Sequence, residues 1–110
     1  MHRLVTFVTF WAAFLPSVAP AQTAPRIQRD IAYAEPKNER RLLDVYAPPS
    51  GSSLPVVVWV HGGGWMRGSK NEVAHKPAAF VDKGFVFVPV NYRFIPDVTM
   101  DTIVRDVAKS

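Results

Sequence analysis

Cysteine does not occur in this chain of 110 residues. That excludes a disulfide framework, a thiolate nucleophile and a zinc knuckle, so stability has to come from packing. A basic run interleaved with aromatic side chains is missing too. The 13 Lys and Arg residues are dispersed among 9 Asp and Glu, for a net charge of +4. Arg29, Arg40, Arg67, Lys76 and Lys109 read as solvated surface, and no nucleic-acid partner is expected. Nor is there an apolar stretch of the ~20 residues that a membrane-crossing helix requires.

What is present is a chain that is 48% apolar and 20% charged, the balance of a folded domain with a core. Its length suits one small domain, yet a domain with a complete active site usually needs more, which points to a partial one. The first residues read as a targeting segment. His2 and Arg3 precede an apolar stretch over residues 4–15, then Pro16 and the small-residue triplet Ala19-Pro20-Ala21. Residues 1–21 are therefore expected to be an export signal cleaved after Ala21, leaving 22–110 as the mature chain. The product would be periplasmic or secreted, with no stable membrane anchor after cleavage. With no cysteine at the cleavage site, a lipoprotein is excluded.

Along the mature chain, Ile27, Ile31 and Tyr33 occupy one face of an alternating stretch, and Leu43 and Val45 repeat the alternation after Glu35-Pro36-Lys37-Asn38. Two antiparallel strands joined as a hairpin fit this pattern. Residues 48–55, rich in Pro, Ser and Gly, form a loop. Val56-Val57-Val58-Trp59-Val60 is apolar on both faces and reads as a central strand covered on both sides, and Phe85-Val86-Phe87-Val88-Pro89-Val90 reads the same way. Between them Pro77 opens a helix whose Phe80 and Val81 face the sheet, with Gly84 at its left-handed end. This is a βαβ unit with a parallel strand pair. A last helix begins near Thr99 and carries Met100, Ile103, Val104, Val107 and Ala108 on one stripe.

His61-Gly62-Gly63-Gly64-Trp65 follows the first buried strand directly, at the edge where parallel sheets place their ligand sites. Three consecutive glycines are costly to order, so something must approach the backbone closely. Acyl transfer supplies a reason: its tetrahedral intermediate carries an oxyanion, and each preorganised N–H donor is worth roughly a hundredfold to a thousandfold in rate. Rival glycine-rich patterns fail residue by residue. A dinucleotide fingerprint needs glycine at Arg67, and a phosphate loop needs Lys before Ser where this chain has Ser69-Lys70.

Taken together, Leu43-Asp44-Val45-Tyr46-Ala47-Pro48, then His61-Gly62-Gly63-Gly64-Trp65 with Gly68-Ser69-Lys70, then Asn91-Tyr92-Arg93-Phe94, resemble the N-terminal part of an α/β-hydrolase of the esterase and lipase group, which includes feruloyl-esterase-like and hormone-sensitive-lipase-like enzymes. The match covers most of residues 42–107. The resemblance implies an α/β-hydrolase fold, here the N-terminal part of a mostly parallel sheet with an antiparallel hairpin first and a βαβ unit next. It implies that the Gly63 and Gly64 amides form the oxyanion hole, that Gly62 and Trp65 lie against substrate, and that His61 shapes the loop rather than acting as base. Trp65 equally fits a packing role under the loop.

Similar enzymes place a G-x-S-x-G nucleophile elbow after the next strand, then the acid and the catalytic histidine. No such elbow surrounds Ser50, Ser52, Ser53, Ser69 or Ser110, so the chain is expected to stop before its nucleophile and to be inactive alone. His75 reads as a surface residue. Asp44, on a strand, Asp97, in a turn, and Asp106, on a helix face, read as solvated or capping, and Arg93 as an ion-pair or carbonyl-binding residue. The implied activity is serine carboxylic-ester hydrolysis of a small acyl ester, with no metal and no organic cofactor. Two alternatives stay open: amide, formamide or peptide hydrolysis on the same fold, and a non-catalytic hydrolase relic that serves as a binding module. Oligomeric state is not legible.

Overall fold

The computed structural model describes residues 16–18 and 23–110. The export signal read over residues 1–21 lies, apart from 16–18, outside them. Four strands form one mixed sheet in the order β1-β2-β4-β3: β1 (Arg26–Ala32), β2 (Leu42–Ala47), β3 (Val56–Val60) and β4 (Val86–Val90). β1 pairs antiparallel with β2, β2 antiparallel with β4, and β3 parallel with β4. The helix α1 (Lys76–Val81) connects the parallel pair, and α2 (Met100–Lys109) follows β4. The hairpin and the βαβ unit are thus as the sequence pattern implies.

β4 is flanked on both sides, and Phe87, Val88, Pro89 and Val90 are buried. Its alternation divides the core. Phe87 packs with Tyr46, Val73, Val81 and Phe80 on the α1 face, whereas Val88 and Val90 pack with Leu43, Val45 and Ile31 on the other. α1 ends as the glycine predicts. Gly84, at φ +85°, donates to the Val81 carbonyl at 2.9 Å and Phe85 donates to the Phe80 carbonyl at 3.0 Å, the paired bonds of a Schellman turn. α2 begins at Thr99, whose hydroxyl accepts from the Thr102 amide.

Two expectations are corrected. Ile27 does not share a face with Ile31, because one extra residue bulges β1 between Gln28 and Ile31: Ile27 lies opposite Tyr46 and Ile31 opposite Leu43. A one-residue insertion moves every preceding side chain to the other face. β3, read as covered on both sides, is the sheet's edge in this structure. Val57 and Trp59 pack against the α1 core, but Val56 and Val58 are 58% and 51% exposed.

Candidate functional site

The loop after β3 is built around a buried histidine. His61 stacks on the Tyr92 ring, with centroids 4.4 Å apart and planes 13° from parallel, while the Phe94 ring stands perpendicular to it at 6.1 Å. Its two ring nitrogens have different partners. Nε2 faces Arg40 Nη2 at 3.3 Å and Nδ1 faces the Gly62 carbonyl at 2.7 Å. A guanidinium only donates and a carbonyl only accepts, so the network assigns a neutral imidazole with its proton on Nδ1. Burial lowers the pKa of His61 below its usual value, and the Arg40 charge works in the same direction against the Gly62 bond.

These bonds orient peptide planes. The His61 carbonyl accepts from the Tyr92 hydroxyl at 2.9 Å, and the Gly62 carbonyl accepts from His61 Nδ1. In a planar trans peptide the N–H points opposite the C=O. The Gly62 and Gly63 amides are consequently turned away from the Tyr92–His61 side. Among the described residues the Gly63 and Gly64 amides donate to no backbone or side-chain acceptor. Gly63 at φ +123° and Gly64 at φ +62° hold conformations that suit glycine. A Cβ on Gly63 would collide with the Arg67 carbonyl, and one on Gly68 with His61 Nδ1 and the Gly62 carbonyl. Beside the loop lies an open hollow of about 360 Å³ bordered by Trp59, His61, Gly62, Gly63, Arg67 and Glu72.

A family model described as BD-FAE matches residues 43–110, more than half of the chain. The chain belongs to the BD-FAE family of α/β-hydrolases. Kynurenine formamidase of Danio rerio is 37% identical over 91 residues, which are 82% of this chain and 30% of the relative. The crystal structure of inhibited esterase B from Lactobacillus rhamnosis superposes with a TM-score of 0.70 over 77% of this chain and 28% of that one, at 23% identity, a likeness of fold. A bifunctional GH43-CE protein of Bacteroides eggerthii gives a TM-score of 0.67 at 31% identity, covering 76% of this chain and 12% of that one. The BD-FAE chain therefore spans less than a third of each of these proteins.

His61, Gly62, Gly63, Gly64 and Trp65, singled out from sequence, sit together on this one loop. Trp65, at φ +66°, is half exposed; its carbonyl accepts from Ile95 and its ring borders an apolar groove of about 370 Å³ with Val60, Met100, Ile103 and Val104. His75 is exposed at the start of α1, and Asp97 is exposed as expected. Asp44 and Asp106 are corrections, since neither is solvated or capping. The Asp44 side chain is 0% exposed and pairs with Lys70 Nζ at 2.6 Å. Asp106 is buried and takes a two-pronged bond from Arg93, Nε at 2.8 Å and Nη2 at 2.7 Å, which ties α2 to the end of β4. Arg93 is thus the ion-pair residue that its position suggests.

Sequence reasoning missed Arg40, Lys70, Asp30 and Asn91 as site supports. Arg40, read as dispersed surface charge, donates to the Tyr92 carbonyl (3.2 Å) and the Gly68 carbonyl (3.2 Å) and lies 3.8 Å over the Phe94 ring. Asn91 Oδ1 accepts from the Lys70 amide at 2.8 Å, while Lys70 Nζ also reaches Asp30 Oδ1 at 2.9 Å. Lys70 and Asn91 fall inside the matched motifs, so a signal existed for them. Arg40 and Asp30 carry none, because a turn and a bulge place them. Among the described residues no cluster of three His, Cys, Asp or Glu side chains is placed to hold a metal.

Proposed function

We propose that the 61–65 loop is the oxyanion-binding element of a serine carboxylic-ester hydrolase, with the Gly63 and Gly64 amides as donors. The observation that carries this reading is the Gly62 carbonyl held by His61 Nδ1–H, which leaves the Gly63 amide unbonded and facing away from the packed side. In the proposed reaction a serine supplied by chain outside residues 1–110 attacks the ester carbonyl. Negative charge grows on the carbonyl oxygen and the two amides receive it; the ester C–O bond then breaks, the alcohol leaves with the proton that a histidine outside residues 1–110 took from the serine, and water later hydrolyses the acyl-enzyme. His61 is not the base: one nitrogen already donates, the other faces a cation, and the ring is buried. Gly62 and Trp65 border the acyl or alcohol group, and residues 1–21 direct the product out of the cytoplasm.

A second reading, hydrolysis of an N-formyl arylamine, is favoured by the 37% identity to a kynurenine formamidase. Both bonds develop the same oxyanion, so the loop serves either. The test is a panel of p-nitrophenyl acyl esters and N-formylated arylamines on the intact gene product that carries this segment. Ester turnover tens of fold above formamide turnover supports the first reading, and the reverse ratio supports the second. A folded product inert toward both sinks the hydrolase assignment. N-terminal sequencing of the exported product should begin at Gln22.

A further inference from the structure

The Nδ1–H form of His61 is a choice between two neutral tautomers, and only one of them can hold the Gly62 carbonyl. With the proton on Nε2 instead, the bare Nδ1 lone pair would face a carbonyl oxygen at 2.7 Å, a repulsive contact that the Gly62–Gly63 peptide would relieve by rotating. The Gly63 amide would turn with it. Two groups favour the Nδ1–H form: the Gly62 carbonyl, on a peptide that can rotate away, and Arg40 Nη2, which faces Nε2 at 3.3 Å. Arg40 is itself held in place. Its own amide donates to Asn38 Oδ1 at 2.7 Å, its Nε and Nη2 reach the Tyr92 and Gly68 carbonyls, and Phe94 lies beneath the guanidinium.

We propose that Arg40 is a positioning residue of the oxyanion site: by donating to His61 Nε2 it locks the Nδ1–H tautomer, which holds the Gly62 carbonyl and so aims the Gly63 amide. The catalytic half of this inference rests on the oxyanion reading above; the tautomer lock does not. The groups bearing on the imidazole are few. Arg40 comes from the turn before β2, Glu72 adds a distant carboxylate, Tyr92 stacks with its hydroxyl on the His61 carbonyl, Arg67 borders the same hollow, and Trp59 and Phe94 are apolar neighbours. Among the described residues Arg40 is the one that touches Nε2.

The two protonated forms give the proposal a distinctive signature. An imidazolium carries hydrogens on both nitrogens, so acid restores the Nδ1 donor even without Arg40. In the intact enzyme, Arg40→Ala should lower kcat by about tenfold to a hundredfold, short of losing a whole oxyanion donor. KM should stay within about twofold, because the donor acts as charge develops. The ratio of variant to wild-type kcat should then rise toward acid as His61 protonates. Nitrogen-15 spectra of the imidazoles, with the His61 signals assigned by their loss in His61→Gln, should show His61 with its proton on Nδ1 in wild type and on Nε2 in Arg40→Ala. Arg40→Lys, which keeps one donor for Nε2, should retain the wild-type tautomer and most of kcat, which separates positioning from misfolding.

An Arg40→Ala enzyme whose His61 remains Nδ1–H, or whose kcat deficit is the same at every pH, overturns the proposal and leaves the oxyanion reading standing. Wild-type Gly63 and Gly64 amide resonances that ignore a bound alkyl phosphonate would overturn the oxyanion reading and with it the catalytic half of the proposal, while the tautomer lock stands or falls by the nitrogen-15 result.

Discussion

Lys70→Met should cost this fold a large part of its stability. The ammonium lies 2.6 Å from Asp44 Oδ1, 2.9 Å from Asp30 Oδ1 and 3.4 Å from Asn71 Oδ1. The Lys70 and Asp44 side chains are 5% and 0% exposed. Without it, Asp44 keeps the Asp30 amide at 2.9 Å, and its Oδ2, which among the described residues has no hydrogen-bond partner, keeps Arg29 at 3.5 Å. Removing one partner from a buried pair costs about 3–5 kcal/mol, because an uncompensated charge stays inside. Against a typical net stability of about 5–15 kcal/mol that is a major loss. With a urea slope of about 2 kcal/mol/M, a loss of 4 kcal/mol moves the midpoint by roughly 2 M. The double variant Asp44→Leu, Lys70→Met should recover most of this, since an apolar pair of similar volume is often neutral or better. Burial pulls the Lys70 pKa down, but bonds to Asp44 and Asp30 outweigh it and raise the pKa above 10.5. The contribution of Lys70 is thus fully present below pH 10.5 and fades as pH climbs through the folded value, so the single variant should also lose that alkaline limb. Urea titrations in which Lys70→Met shifts the midpoint by less than about 0.5 M, or the double variant is no better than the single, would refute the reasoning.

Burial alone would raise the Asp106 pKa, but the bonds from Arg93 prevail and hold it below 3.8. The anchoring of α2 should therefore persist above pH 3.8 and fail as pH falls through the lower folded value, read as accelerated exchange of the Arg93 amide, which Asp106 Oδ2 accepts at 3.2 Å. Asp106→Asn should exchange fast at neutral pH and show no acid transition. Val58 sits 51% exposed on the edge strand β3, so the isolated 110-residue chain should self-associate, and Val58→Lys should suppress this in light scattering without lowering the melting temperature.

Elements whose hydrophobic period matches their partners were legible from sequence. Phe80 and Val81 on α1 and the parallel β3–β4 pair follow from spacing alone, whereas of the α2 stripe Ile103 is buried and Met100 and Val104 stay exposed. The glycine loop was legible as well, because three glycines after an apolar strand are improbable without a backbone task. Illegible were features that arise only on folding. The bulge at Arg29 and Asp30 flips Ile27 to the other face and carries Asp30 to Lys70, 40 positions away in sequence, and alternation gives no warning of an inserted residue. Asp44 looks like any polar residue in an alternating strand until a lysine from beyond the glycine loop is seen to neutralise it. Arg40 is one of 13 basic residues, and only the 3₁₀ turn at Glu39–Arg41 aims it at His61.

The glycines of the loop answer two different demands, and substitution should separate them. At Gly68, with φ +107°, a methyl would strike His61 Nδ1 and the Gly62 carbonyl, the two atoms whose bond orients the loop. The ring cannot retreat without leaving Arg40 and the Tyr92 stack, nor the carbonyl without leaving Nδ1, so Gly68→Ala should cost about 2–3 kcal/mol of overpacking besides the left-handed backbone penalty of about 1–2 kcal/mol. At Gly64, with φ +62°, the same methyl meets nothing within 4 Å. Gly64→Ala should therefore lose only the backbone term in a urea melt and remain folded, yet on the proposed oxyanion reading its methyl would crowd the oxygen that the amide of residue 64 receives. In the intact enzyme turnover should drop by more than the stability change explains, whereas Gly68→Ala should lose stability and turnover together. Equal stability losses at the two positions would mean that the loop is not braced by His61, and full activity in Gly64→Ala would mean that substrate does not approach the amide of that residue.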